Sequence, residues 1–240
     1  MARQPRFALV GQPQHIIQKG NNRKVIFSSD RDYRFYLDKL ESKSREHSLE
    51  IHAYVLMPNH THILATPYEI DSISKVLQSL GRCYAQYYNY IHDRSGTLFE
   101  GRYKATLVES STYLLDCYRY IEQNPVRSGI VTDPADYNWS SYRFNALGVA
   151  DKVVSPHSQF LGLASSDISC FSKYRKLSEL PLASSVVEEI SEFTNKSWVI
   201  GSHGYKQEVE RILNRRSSPK PRGGDRKSTN WIIKKLGCKA

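Results

Sequence analysis

Leu49 to Leu56 and His60 to Thr66 are two β-rich runs parted by little more than Pro58-Asn59. A connection this short joins antiparallel neighbours, because a parallel return needs a crossover of a dozen residues or more. The hairpin therefore fixes the middle of the fold, and the flanking segments must be arranged around it. Upstream, His15 to Lys19 reads as a strand stopped by Gly20-Asn21-Asn22. Ser29-Asp30 then opens a helix to about His47, with Tyr33, Tyr36, Leu37 and Leu40 at helical spacing. Downstream, Asp71-Ser72 opens a long helix to about His92, and its Ile73, Val76, Leu77, Leu80, Tyr84, Tyr87, Tyr88 and Ile91 share one broad face. Tyr103 to Glu109 reads as a fourth strand. The order β-α-β-β-α-β is the ferredoxin-like pattern, an α+β class with an antiparallel sheet and its helices on one face.

The rest of the chain is appended to that unit. A further helix is predicted from Ser110-Ser111 to about Gln123, ended by Pro125. After Trp139-Ser140-Ser141-Tyr142 the periodicity weakens. Residues 150–182 read as loops and short helices, and Ser184 to Thr194 and Tyr205 to Arg215 as two helices. The predicted organisation is a sheet domain over 1–148, a helical extension over 149–216 and a basic, flexible tail over 217–240.

Charge separates the tail from the body. The 240 residues carry a net charge of +10, yet ten Lys/Arg and a single Asp put +9 of it into residues 211–240. A near-neutral body with a cationic end points to a polyanionic partner, of which nucleic acid is the first candidate; a solvated tail that aids solubility is the plainer reading. No apolar run approaches the roughly 18 residues of a membrane span. The apolar stretch Phe7 to Val10 is too short for a signal-peptide core, so a cytoplasmic location is expected. Cys83, Cys117, Cys170 and Cys238 are widely spaced, with no CxxC, and are expected as free thiols.

Two short patterns carry chemistry. In a strand, i and i+2 project from the same face, so His60 and His62 set two imidazoles side by side, a spacing that suits one metal ion. An HxH pair also occurs on strands that bind nothing. Thr61, Ile63 and Ala65 would face the helices, leaving the histidines on the open face of the sheet. On the helix after the sheet, Tyr120 and Asn124 are i and i+4 and so share a face. The Asn124 amide oxygen can act as a hard third ligand beside the Tyr120 hydroxyl. Equally, Tyr120 is one of sixteen tyrosines, and Asn124 has the residue type of a helix cap.

Five blocks, taken together and in order, resemble the REP-associated tyrosine transposases of the HUH, single-tyrosine superfamily. They are Gln18-Lys19-Gly20-Asn21-Asn22-Arg23, Pro58-Asn59-His60-Thr61-His62, Phe99-Glu100-Gly101-Arg102-Tyr103-Lys104, the run from Arg119 through Asn124 to Arg127, and Trp139-Ser140-Ser141-Tyr142. The resemblance spans about 12–148 and, more loosely, the helices to about 222. It implies that His60 and His62 hold a divalent ion, Mg²⁺ or Mn²⁺, with Asn124 as third ligand, and that Tyr120 is the nucleophile. It implies a single-stranded or hairpin DNA partner, a ferredoxin-like catalytic domain, and a monomer or homodimer. Thr61 departs from the bulky apolar residue usual between the histidines, and Asn124 stands where the wider superfamily has glutamine.

The DNA contacts expected from charge are Arg82, Arg102 and Lys104 in the body, with Arg215, Arg216, Lys220 and Arg222 near the end of the chain. Glu100 is expected to pair with Arg102. Tyr84, Tyr87 and Tyr88 are expected to pack, as are Trp139 and Tyr142. Three other readings compete: a hairpin-binding regulator without cleavage, a replication initiator or relaxase, and a zinc hydrolase. The residue set His60, His62 and Tyr120 speaks against the first, the short chain against the second, and the lack of HExxH against the third.

Overall fold

A computed structural model describes residues 6–219 of the chain. Four strands, β1 (Gln14–Lys19), β2 (Leu49–Met57), β3 (His60–Pro67) and β4 (Lys104–Leu107), form one sheet in the order β2-β3-β1-β4, antiparallel throughout. Helix α1 (Asp30–Glu46) lies between β1 and β2, and α2 (Ser72–Ile91) between β3 and β4. The ferredoxin-like α+β arrangement expected from the element order is the one formed. The start of α1 is set locally: Ser28 and Ser29 backbone N–H groups donate to Asp32 Oδ2 at 2.8 and 2.9 Å, closing a capping box. Both helices pack on one face of the sheet, where Ile16, Leu56, Ile63 and Ala65 meet Tyr36, Leu40, Val76, Leu80 and Tyr84. Trp139 stacks on Tyr33 at 4.5 Å, and Tyr142 is buried, so both pack as expected.

The other face is not open. It carries α3 (Leu114–Glu122), α4 (Asn124–Arg127), α5 (Tyr142–Leu147), α6 (Ser158–Leu161), α7 (Asp167–Glu179), α8 (Ser184–Lys196) and, further on, α9 (His203–Leu213). Ala53, Val55 and Leu64 on this face share a second core with Leu114, Cys117 and Ile121 of α3 and with Phe160, Cys170, Tyr174, Ile190 and Ile200. The expectation of an exposed histidine face is corrected here. The run Ala53 to Met57 is apolar at every position, the pattern of a strand covered on both sides. Residues 149–216 thus do not build a core of their own. They close the far side of the sheet.

Three local readings also change. The helix expected from Ser110 begins only at Leu114, although it ends at Glu122, about where expected. A new turn starts at Asn124, with Pro125 in its first turn, where a missing N–H costs nothing. Residues 150–182 contain a thirteen-residue helix, α7, whose buried positions are only Cys170, Tyr174 and Ser178, too sparse to raise a periodic signal. Ser217, expected in a flexible linker, is buried; its N–H and hydroxyl donate to Glu210 Oε1, and its carbonyl accepts from Val199. Lys220, Arg222 and the remainder of the basic tail lie outside the described residues. Among the described residues, no helix is long and apolar enough to cross a membrane.

Candidate active site

Strand alternation and register build the site. His62 lies opposite Ile17, and His60 opposite Lys19, so His15, Ile17 and Lys19 of β1 share the face of His60 and His62. The rings of His60 and His62 have centroids 5.0 Å apart at 74°. His15 stacks on His62, also at 5.0 Å. From α3, the Tyr120 ring stands edge-on to both, 5.8 Å from His15 and 5.9 Å from His62. These groups open into a cleft of about 450 Å³, lined by Lys19, Arg23, Asn59, His60, His62, Glu100, Lys104, Tyr120, Asn124 and Asn195. His60, His62, Tyr120 and Asn124 are therefore brought together, although the helix breaks between the last two.

Each histidine is held from behind. His60 Nδ1 lies 2.6 Å from Asn59 Oδ1, and His62 Nδ1 lies 2.8 Å from His15 Nε2. Asn59 is fixed in turn, since its carbonyl accepts from Gly20 N at 2.8 Å. The approach requires glycine: a Cβ at residue 20 would sit 2.2 Å from the Lys24 carbonyl oxygen and 2.8 Å from Ile26. Burial keeps the imidazoles neutral. Desolvation lowers His15 to about 3 and His60 to about 4, and pushes His62 well below its ordinary value, with Arg127, Lys19 and neighbouring histidines adding to the effect. Neutral rings are the form that ligates metal. The Asn124 Nδ2 is buried without a hydrogen-bond partner, so this amide is not committed to the surrounding protein. Among the described residues, no three His, Cys, Asp or Glu side chains converge to hold a metal, which leaves two imidazoles and an amide as the donor set.

Position distinguishes Tyr120 from its neighbours. The hydroxyl of Tyr118 is buried in the core with Phe160 and Tyr174, away from the cleft. Tyr113 is half-buried beside Glu189 and does not line the cleft. Arg127 lies over the Tyr120 ring, its guanidinium carbon 4.4 Å from the centroid, and donates to the Tyr120 carbonyl.

The expected DNA contacts scatter. Lys104 lines the cleft, and its Nζ lies 3.4 Å from Asn195 Oδ1, which also accepts from Lys19 Nζ at 3.1 Å. Arg102 lines a different hollow with Arg6 and Gln18, so Glu100, at the cleft, does not pair with it. Arg82 is exposed on α2, across the sheet from the histidines. Arg215 lies over the Phe7 ring at 3.8 Å, and Arg216 is exposed. The sequence reading missed His15, Lys19, Arg127 and Asn195. His15 and Lys19 alternate with Ile17 on a strand, a signal that was present; their meeting with β3 depends on a register that no local pattern carries.

The family model described as "Transposase IS200 like" matches residues 11–124. That segment is similar to the IS200-like transposases. The matched segment contains His60, His62, Tyr120 and, as its last residue, Asn124. Among solved structures, it is similar to a REP-associated tyrosine transposase bound to a REP hairpin: 18% identity, 65% of this chain and 93% of that one covered, TM-score 0.51. A putative transposase from Deinococcus radiodurans R1 matches at 20% identity, over 49% of this chain and 95% of that one, with a TM-score of 0.34. No curated protein matches the sequence.

Proposed function

We propose that the protein cuts and rejoins single-stranded DNA at palindromic hairpins through a covalent link to Tyr120, with a divalent ion, Mg²⁺ or Mn²⁺, held by His60, His62 and Asn124. The observation that carries this reading is the convergence of the Tyr120 ring, 5.9 Å from His62, with His60 and Asn124 in one cleft. The family match supports transposase chemistry. The fold shared with a transposase solved on a REP hairpin motivates the hairpin as substrate. The donor set fits such an ion: two neutral imidazoles, backed by Asn59 and His15, and an amide with an orphaned nitrogen. When bound, the ion would neutralise charge on the non-bridging phosphate oxygens.

The chain's own residues supply the rest. Tyr120 Oη attacks phosphorus: the P–O bond to tyrosine forms, the P–O3′ bond breaks, and the proton lost by the tyrosine hydroxyl is balanced by the one taken up by the departing 3′-oxygen. A 5′-phosphotyrosine and a 3′-hydroxyl result. The new ester retains phosphodiester reactivity, so a 3′-hydroxyl from another strand reverses the step without ATP. Arg127, above the ring and bonded to the Tyr120 carbonyl, holds the tyrosine in place. Lys19 and Lys104, both at Asn195, place positive charge where the strand's phosphates would enter.

The test is a denaturing gel of protein with 3′-labelled or 5′-labelled single-stranded hairpin DNA, in Mn²⁺ or EDTA. The hairpins come from sequence flanking the gene. A metal-dependent, detergent-resistant band carrying the 3′-labelled fragment supports the reading. Cut DNA without an adduct overturns it in favour of a hydrolytic nuclease.

A further inference from the structure

Behind the cleft runs a buried chain of hydrogen bonds that the proposed chemistry does not use. It starts on α8, outside the segment that the family model matches, and ends at His62. Thr194 Oγ1 lies 2.7 Å from the Ile190 carbonyl and 2.9 Å from His15 Nδ1; His15 Nε2 lies 2.8 Å from His62 Nδ1. Thr194 and His15 are wholly buried and His62 nearly so, leaving no surface from which water could substitute for a missing partner.

The proton positions follow from the direction of the Thr194 hydroxyl bond, the shorter of its two contacts, which runs to the Ile190 carbonyl. The threonine hydroxyl has one proton, and the Ile190 carbonyl, which can only accept, takes it. Thr194 Oγ1 is then an acceptor, so His15 donates to it from Nδ1–H. A neutral imidazole has a single N–H, so His15 Nε2 is bare and accepts from His62 Nδ1–H. His62 Nε2 is in consequence left without a proton. Metal-binding histidines are commonly oriented by giving their other N–H to a carboxylate or carbonyl, which can only accept. Here the acceptor is a second imidazole, able to act either way, and its sense is fixed one step further back, by Thr194.

We propose that His15 and Thr194 are positioning residues forming a tautomer relay from α8 to His62, which holds His62 as the Nδ1–H form with Nε2 bare for a divalent cation. This rests on the ligand set proposed above. Removing the hydroxyl strands a buried N–H on His15. The chain relieves this by reversing: His15 becomes Nε2–H, donates to His62 Nδ1, and drives the His62 proton onto Nε2, where a cation would bind.

The experiment uses the full chain, without DNA. The ¹⁵N shifts of the imidazoles report each tautomer in the metal-free protein, and electron paramagnetic resonance follows Mn²⁺ titration; thermal melts confirm folding. Wild type and Thr194→Ser are expected to show His62 as Nδ1–H and equal Mn²⁺ affinity. Thr194→Val is expected to show Nε2–H and to bind Mn²⁺ about ten- to a hundredfold more weakly. His15→Leu, which removes the partner of His62 without touching α8, should give a similar loss. Unchanged Mn²⁺ affinity and tautomer in Thr194→Val overturn the relay alone. If the variants do not fold, the wild-type spectrum decides, and a His62 Nε2–H signal overturns the relay. A wild type that binds no Mn²⁺ overturns the ligand assignment itself, and the relay's purpose with it.

Discussion

Tyr120 differs from the other tyrosines in where its ring stands rather than in any chemistry of its own. Tyr120→Phe is expected to keep single-stranded DNA affinity within about twofold while abolishing the covalent band, because it removes the nucleophile and no packing. Tyr118→Phe should leave the band intact, since that hydroxyl is buried in the core and does not line the cleft; loss of the band in Tyr118→Phe with retention in Tyr120→Phe would reverse the assignment. His62→Ala should remove the EDTA-sensitive part of cleavage, and full activity in that variant would sink its role as a ligand. Gly20→Ala presses a methyl group onto the Lys24 carbonyl and shifts the loop that seats Asn59 behind His60. A cost of about 1–3 kcal/mol in urea denaturation is expected, with a lower adduct yield. At this scale the sequence shows what chain-local spacing shows: His60 and His62 at i and i+2, and Tyr120 and Asn124 within about one turn of each other. His15, paired across strands, and Asn195, delivered by a helix far along the chain, leave no such trace.

The helix bearing Tyr120 is anchored by a carboxylate. Glu122, fully buried two residues on, accepts from Ser141 Oγ at 2.5 Å and Asn145 Nδ2 at 2.7 Å on Oε1, and from Tyr174 at 2.6 Å on Oε2, tying α3 to α5 and α7. Desolvation exceeds these hydrogen bonds and raises its pKa from 4.5 to about 7. A raised folded-state pKa means that the stability it contributes is complete below about 4.5 and is lost as pH rises through about 7. Glu122→Gln removes that titration. Its stability relative to wild type should therefore improve between pH 5 and pH 8, by up to about 3 kcal/mol, in paired urea melts; a difference independent of pH would refute the assignment. Elements with strong end signals were legible, as Ser29 at the start of α1 demonstrates. Helix α7 was not, because its inward face shows one tyrosine, one cysteine and one serine to the core.

Across the whole molecule, charge and chemistry are separated. Residues 220–240 hold seven Lys/Arg and one Asp, while the cleft draws on Lys19 and Lys104. Ending the chain at Pro219 should weaken single-stranded DNA binding for all sequences alike. The dependence of log K on log salt should flatten by up to about 5, at roughly 0.7 for each phosphate that is no longer neutralised. Adduct formation at saturating DNA should be unaffected; a defect confined to one hairpin sequence would instead make the tail a specificity element. The ferredoxin-like order was readable from turns and periodicity, and so were α3, α8 and α9 as helices, but not that they cover the second face, because that packing is against residues distant in the chain. That cover has a practical consequence for anyone wishing to move this site into another scaffold. Lifted out at residue 124 or 148, the segment would keep α3 over Val55 and Leu64 but lose α8, and His15, which stands behind His62, would be left without Thr194. The histidine pair and its tyrosine are portable only with α8 as part of the graft.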